Sequence, residues 1–364
     1  MGFLQRVLGL REDQDPGLKA FWDWFVANEK QFYQIIKDGA DPEDGFFDLL
    51  GPRLEELKDG FYFLSGMYDD NTAELILSAE GNITNIVFVE ELVRAAPHLK
   101  NWKFTALKQA LRLEDVRINM DGYDFNSDNL SFYPIADQQY PDNVDIVIVY
   151  DGYSKDDETI ITNGVYLFLD NSLGELTSIT AIDELTVIGK EDTTEALIAI
   201  AKLKDYLIWR EKEFVEKYNG SRHNTENDMH STFEAKFKDG RPLFAVMNMT
   251  LLDWDSKASH PWILSVKITY KGNEDGMPDK ETYELLDTFE GEVVGELTDF
   301  DGYLNIGRET ADNCREIYFA CKEFRKPSKV LFALSKEYEC KLAVTYEIYK
   351  DKYWRYFERF SGKG

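Results

Sequence analysis

Tyr303-Leu304-Asn305-Ile306-Gly307-Arg308-Glu309-Thr310-Ala311-Asp312-Asn313-Cys314-Arg315-Glu316-Ile317-Tyr318-Phe319-Ala320-Cys321 is the stretch whose reading decides the fold. Two strand-like runs, Tyr303–Thr310 and Cys314–Cys321, flank the turn residues Ala311-Asp312-Asn313, which predicts an antiparallel hairpin. The register expected from that turn sets Arg308 opposite Glu316 and Glu309 opposite Arg315. Two crossed ion pairs would follow, each contributing about 0.2–1 kcal/mol, enough to fix register without implying catalysis. The alternative use of the two arginines is to receive a carboxylate or phosphate from a partner.

Outward from this hairpin, the segment 232–361 reads as a domain of its own. Phe233–Phe237, the Asp239-Gly240 turn and Leu243–Leu251 give a first hairpin, and Trp262–Tyr270 a third strand. Asp279 caps a helix through Tyr283, Leu286 and Phe289 to about Leu297, with Met277-Pro278 just ahead of it. After the central hairpin come a helix from Ser328, a strand Leu342–Tyr349 and a closing Tyr353–Phe360 segment. The order βββ-α-ββ-α-β predicts an α+β domain, a mainly antiparallel sheet packed against helices.

The upstream part, 17–190, reads as a second α+β domain after a short extension, 1–16. Leu18–Lys37 places Phe21, Trp22, Phe25, Phe32 and Ile36 at helical spacing behind Asp15-Pro16. Such a stripe is core far more often than a ligand cage. Phe61–Tyr68 and Ala73–Ala79 form an expected hairpin around Asp69-Asp70-Asn71, and Val144–Tyr150 is the best central strand. Between the two domains, 191–231 is expected to hold a long amphipathic helix, Thr193–Tyr218, and a polar boundary loop, 219–231.

The chain has 364 residues, 43% hydrophobic and 14% aromatic, enough apolar material for two cores. Sixty-eight acidic against 41 basic side chains give a formal charge of −27. That field repels nucleic acid unless a basic stripe overrides it, and none is present; the plain use of such acidity is solubility, and the sharper one is a surface that attracts a basic protein. No apolar run approaches the ~20 residues that span a bilayer, and the first eleven residues lack the form of a signal peptide. Cys314, Cys321 and Cys340 form neither a C-x-x-C pair nor an even framework, which predicts a reducing, cytoplasmic setting.

No nucleophile elbow, phosphate-binding loop or dinucleotide fingerprint occurs, and no cofactor is implied. Gly302 and Gly307 fit turns or bulges instead. Glu74, Glu80 and Glu175 are the one carboxylate set that could serve a metal-dependent hydrolase or nuclease, since Glu74 and Glu80 share strand parity. A solvated sheet face accounts for them more simply in so acidic a chain, where carboxylates at even spacing occur by chance. The four histidines lack the spacing of a helical zinc pair, and no metal site is predicted. Trp262, Arg308, Arg315 and Trp354 are the candidate binding residues, the first, second and last as the lining of a small-molecule sensor pocket.

His260-Pro261-Trp262, Gly276-Met277-Pro278, Gly307-Arg308 with Thr310, Arg315-Glu316 with Tyr318-Phe319, and Trp354 occur in an order by which the last ~130 residues resemble the bacterial domain of unknown function 695 family. In layout that family is similar to regulator of ribonuclease activity B, a small acidic ferredoxin-like protein that inhibits an endonuclease by binding it. The resemblance implies a ferredoxin-like C-terminal domain; the non-catalytic, protein-binding role is read instead from the negative charge and the missing catalytic signatures. The upstream part resembles an uncharacterised companion module through Phe21-Trp22-x-Trp24-Phe25, Glu74–Ala79, Leu92-Val93-x-Ala95-Ala96-Pro97 and Leu173-Gly174-Glu175.

Overall fold

The computed structural model describes residues 15–39 and 43–361, so the amphipathic extension expected at the N-terminus lies outside the described residues. The chain is α+β and divides into two compact units, one ending at Phe214 and the other starting at Val215.

In the first unit, helix α1 (Pro16–Lys37) opens with the Asp15 side chain accepting from the Gly17 amide, as its Asp-Pro start predicts. Its aromatic stripe is core. Phe21, Trp22, Phe25 and Phe32 are buried and ring-pack with Phe46, Trp102 and Phe104, while the Trp22 indole donates to the Leu92 carbonyl at 2.9 Å. A π-helical turn (Glu43–Phe47) and α2 (Asp48–Leu57) lead to a three-stranded sheet, β1 (Tyr62–Asp69), β2 (Thr72–Ser78) and β3 (Trp102–Ala106). Strands β1 and β2 form the expected hairpin, whereas β2 and β3 run parallel because α3 (Ile86–Arg94) crosses between them.

A second sheet has the order β8-β7-β6-β9, built from β6 (Leu130–Ile135), β7 (Asp145–Tyr150), β8 (Glu184–Gly189) and β9 (Ile198–Ala199), with a small β4 (Ile118–Met120)–β5 (Tyr123–Phe125) ribbon nearby in sequence. Strand β7 is buried along nearly its whole length, as its unbroken apolar run requires. Helices α4 (Glu158–Leu173) and α5 (Glu175–Thr180) make the crossover to its parallel neighbour β8. The long helix expected from Thr193 begins only at Leu203, as α6 (Leu203–Lys217), because Ile198-Ala199 pairs with β6. Ile200, Leu203 and Leu207 join the core of this sheet, so the start of that helix belongs to the first unit.

In the second unit β10 (His230–Lys236) and β11 (Pro242–Asn248) form the first hairpin, followed by a short turn α7 (Met249–Leu252). Then come β12 (Trp262–Thr269), α8 (Lys280–Glu296), β13 (Tyr303–Ala311), β14 (Cys314–Cys321), α9 (Arg325–Tyr338), β15 (Ala343–Lys350) and a closing 3-10 segment (Arg355–Phe360). One six-stranded sheet, order β10-β11-β13-β14-β12-β15, is antiparallel throughout. Its last four strands and two helices follow the chain order β-α-β-β-α-β.

The central hairpin forms, but in a different register. Asp312 and Asn313 both have positive φ, the signature of a two-residue turn, so Ala311 pairs with Cys314, Thr310 with Arg315 and Glu309 with Glu316. The crossed Arg–Glu pairs expected from a three-residue turn therefore do not form. Farther along, Gly307 sits at a bulge with φ +145°, where an added Cβ would lie 2.2 Å from the Val246 carbonyl oxygen.

Candidate functional site

Strand alternation sorts the second unit's sheet into two faces. On one, Arg308 and Arg315 point at α8. Arg315 is buried, donates to Asp287 at 2.7 Å and Glu290 at 3.4 Å, and lies 5.0 Å from the Tyr283 ring. Arg308 donates to Glu290 at 2.8 Å. Both guanidinium groups are thus neutralised within the unit, fastening the helix to the hairpin.

The aromatic candidates separate. Trp262 packs edge-on against Phe324, while its neighbour Ile263 shares the opposite face's core with Trp354. Trp262 and Trp354 therefore lie on opposite sides of the sheet, both buried, and do not line one pocket with Arg308. Trp354 adopts a left-handed φ of 56°, held by its indole donating to the His260 carbonyl at 3.0 Å and by the Asp351 amide reaching Pro261. His260-Pro261-Trp262 is thus the receptor for the closing segment. Similarly, Gly276 (φ +74°) packs on Asp312, and its carbonyl accepts from the Asn313 amide, so the Gly-Met-Pro loop clasps the hairpin turn.

The His260 ring is fully buried. Its Nδ1 lies 2.8 Å from the Ser259 hydroxyl, which itself donates to the Ser256 carbonyl, while Nε2 has no hydrogen-bond partner. Burial, reinforced by the positive charge of Lys322 and by His223, pushes its pKa down to about 3. His223 is engaged with Asp228, whose carboxylate also accepts from Asn248 at 2.7 Å.

The carboxylates of the first unit are each committed. Glu175, buried at the start of α5, accepts from the Ser78 hydroxyl and from the amides of Ala79, Gly81 and Lys108, tying three segments together. Glu80 pairs with the Lys108 ammonium at 2.8 Å, beside Asp170. Glu74 is held on the sheet by Lys103 and the Thr105 hydroxyl and shares no partner with the other two. Among the described residues no group of three or more His, Cys, Asp or Glu is placed to hold a metal.

In the second unit a groove of about 720 Å³ is open on the other face of the sheet, over β12, β14 and β15, and in the first unit a smaller cavity of about 390 Å³ lies between Leu111, Leu173 and Leu203. Pairing sets Ser265 opposite Tyr318 and Lys267 opposite Glu316, with Glu347 and Thr345 beside them on β15. Tyr349 and Tyr356 add aromatic surface. The Tyr318 hydroxyl donates to Glu316 at 2.5 Å, and burial with that bond raises its pKa far above the ordinary tyrosine value. Glu309, opposite Glu316, is bonded by Arg359 of the closing segment, and its pKa is raised by burial. Glu347 and Lys267 have no ion-pair partner among the described residues. The strand bordering the groove, β15, is an outer strand whose far side is unpaired among the described residues.

Tyr318 and Glu316 stood in a motif of the sequence, but Ser265, Lys267, Glu347 and Tyr356 did not. Their signal is strand alternation: in β12, Ser265 and Lys267 interleave with Leu264, Val266 and Ile268, which marks a strand with one polar-tolerant face.

No curated protein and no solved structure matches this chain. Its residues 235–360, which carry the groove and the Arg308, Arg315, Trp354 and Gly276 fastenings, match the family model described as Family of unknown function (DUF695).

Proposed function

We propose that the C-terminal unit is a ferredoxin-like, non-catalytic binding module that receives an extended basic segment of another protein. The observation that carries this reading is the open groove in which the exposed Glu347 stands across β12 from Glu316 and has no ion-pair partner among the described residues, bordered by the outer strand β15. A peptide lying along β15 would gain main-chain hydrogen bonds, the groove's carboxylates would meet its Lys or Arg, and the tyrosines would supply cation–π faces. Lys267 would face a carbonyl or an acidic residue of the same segment. The net charge of −27 adds long-range attraction to a basic partner such as a nuclease and disfavours nucleic acid itself.

A regulatory role follows from occupancy, since an acidic module covering a basic surface masks it. The engagement of Glu74, Glu80 and Glu175 in internal bonds supports a binding role over a carboxylate hydrolase. Three cysteines with no disulfide support a reducing, cytoplasmic location. No helix among the described residues is long and apolar enough to cross a membrane.

The test uses the full chain and a library of extended peptides in which Lys or Arg alternates with apolar residues, read by fluorescence anisotropy. Saturable, salt-sensitive binding that disappears in the E316K/E347K double variant is the expected outcome. Absence of saturable binding, or binding indifferent to the charge reversal, overturns the reading.

A further inference from the structure

The first unit also has an outer strand, and its chemistry is opposite to that of β15. Strand β1 is eight residues long and has no neighbour on its far side among the described residues. Residues 60–68, Gly-Phe-Tyr-Phe-Leu-Ser-Gly-Met-Tyr, contain no charge in a chain with 109 charged Asp, Glu, Lys and Arg side chains, 68 acidic and 41 basic. Outer strands are ordinarily protected by Lys, Pro, shortness or a central bulge, and β1 has only a bulge at its far end, between Met67 and Asp69. The outer strands of the second unit differ, since β10 carries Glu234 and Lys236, and β15 carries Glu347 and Lys350; in the first unit β3 carries Lys103, β8 carries Glu184, and β9 is only two residues long.

Side-chain placement matches the open edge. Phe63 and Ser65 pair with the buried Leu77 and Leu75 on the face toward the helices. Tyr62, Leu64 and Gly66 are on the other face, where Tyr62 is 52% and Leu64 49% exposed. Tyr68, 59% exposed, has the Lys103 ammonium 3.8 Å from its ring centre. The charges of this face, Glu74 and Lys103, neutralise each other.

We propose that β1 is a self-association edge on which a second copy of this chain pairs, antiparallel, about a two-fold axis at Ser65. The charge argument selects the occupant. Along the uncharged run 60–68 a basic partner finds no carboxylate, the nearest being Asp69 at the strand's end, whereas two copies of a chain at −27 repel wherever the surface is not neutral. The strand is also complementary to itself. Pairing about Ser65 sets Tyr62 opposite the second copy's Tyr68, Leu64 opposite its Gly66 and Phe63 opposite its Met67, so on the exposed face tyrosine meets tyrosine and leucine covers glycine. Because paired positions share parity, both copies keep the apolar side chains on one face, and the two three-stranded sheets become one sheet of six.

Sedimentation equilibrium of the full chain across the micromolar range, at moderate salt, tests the inference. The expected result is a concentration-dependent dimer that becomes monomeric in L64K and remains dimeric in L111K, a control at another exposed leucine of the same unit. If L64K aggregates, Tyr68→Lys at the other end of the same edge decides in its place. A wild-type chain that stays monomeric at its highest soluble concentration, a dimer that survives the edge variant, or a control that dissociates equally would each overturn it.

Discussion

Acidification should weaken the second unit in part through one buried side chain, His260, alongside carboxylates such as Asp299 and Asp301 whose pKa values are lowered by their hydrogen bonds to Thr225 and Lys326. The folded pKa of His260, about 3, lies below the ordinary 6.5, so the unfolded chain binds a proton that the folded ring refuses. The contribution is therefore fully present above pH 6.5 and is lost as pH falls from 6.5 toward 3. Linkage between those two values gives a loss of about 2 kcal/mol at pH 5 and about 3 kcal/mol at pH 4, with a ceiling near 5 kcal/mol. The groups facing the ring work in the same direction, because Lys322 repels an imidazolium and His223 is committed to Asp228. Denaturant unfolding of wild type and His260→Gln at pH 7.5, 5 and 4 isolates the term. Trp254 and Trp354 report locally, the first 5.4 Å from the His260 ring and the second bonded to its carbonyl. The variant should be weaker at pH 7.5, since it loses a packed ring, yet should show a pH slope flatter than wild type by about 2 kcal/mol between pH 7.5 and 5. Equal slopes in the two proteins would refute the reasoning, because they would assign the acid sensitivity to carboxylates common to both.

Two further perturbations separate packing from charge. Gly307→Ala forces a Cβ against the Val246 carbonyl at the bulge, and thermal unfolding should show a loss of about 2 kcal/mol or more with no change in net charge. The double variant D287A/E290A strands the buried Arg315 without a counter-ion and should cost about 3–5 kcal/mol in denaturant unfolding, whereas adding Arg315→Met should recover much of that loss.

The fold was legible where local periodicity and tertiary demand agree. Phe21 to Phe32 needed only helical spacing to be assigned to core, and Asp279 only its position before an amphipathic run to be a cap. The register of the central hairpin was not legible, because it turns on whether Ala311 ends the strand or enters the turn. The positive φ of both Asp312 and Asn313 settles that by a single residue, and one residue decides whether Arg315 faces Glu309 or α8. The late start of α6 has a related cause. Ala196, Ile200 and Leu203 keep helical spacing, but Ile198-Ala199 gains a strand partner in β6 that no local pattern reveals.

The site was hidden for a different reason. Short motifs rich in Trp, Arg, His and Gly invite a functional reading, yet in this sheet they supply fastenings: Trp354 into the His260 carbonyl, Arg308 and Arg315 into α8, Gly276 onto the hairpin turn. Each needs a specific residue because a buried donor must meet an acceptor, a guanidinium must meet two carboxylates, or a backbone must pass too close for a Cβ. A groove that takes an extended chain makes no such demand on any single position. Ser265, Lys267, Thr345 and Glu347 need only alternate with apolar residues and stand on one side of the sheet, a requirement that many polar residue types satisfy. Distinctive residues therefore mark where this unit is locked, and the ordinary polar residues of β12 and β15 mark where it is open. That is why charge reversal at the exposed Glu347 should act on binding while leaving the unfolding midpoint nearly unchanged, and why substitutions at Arg315 or Trp354 should do the reverse.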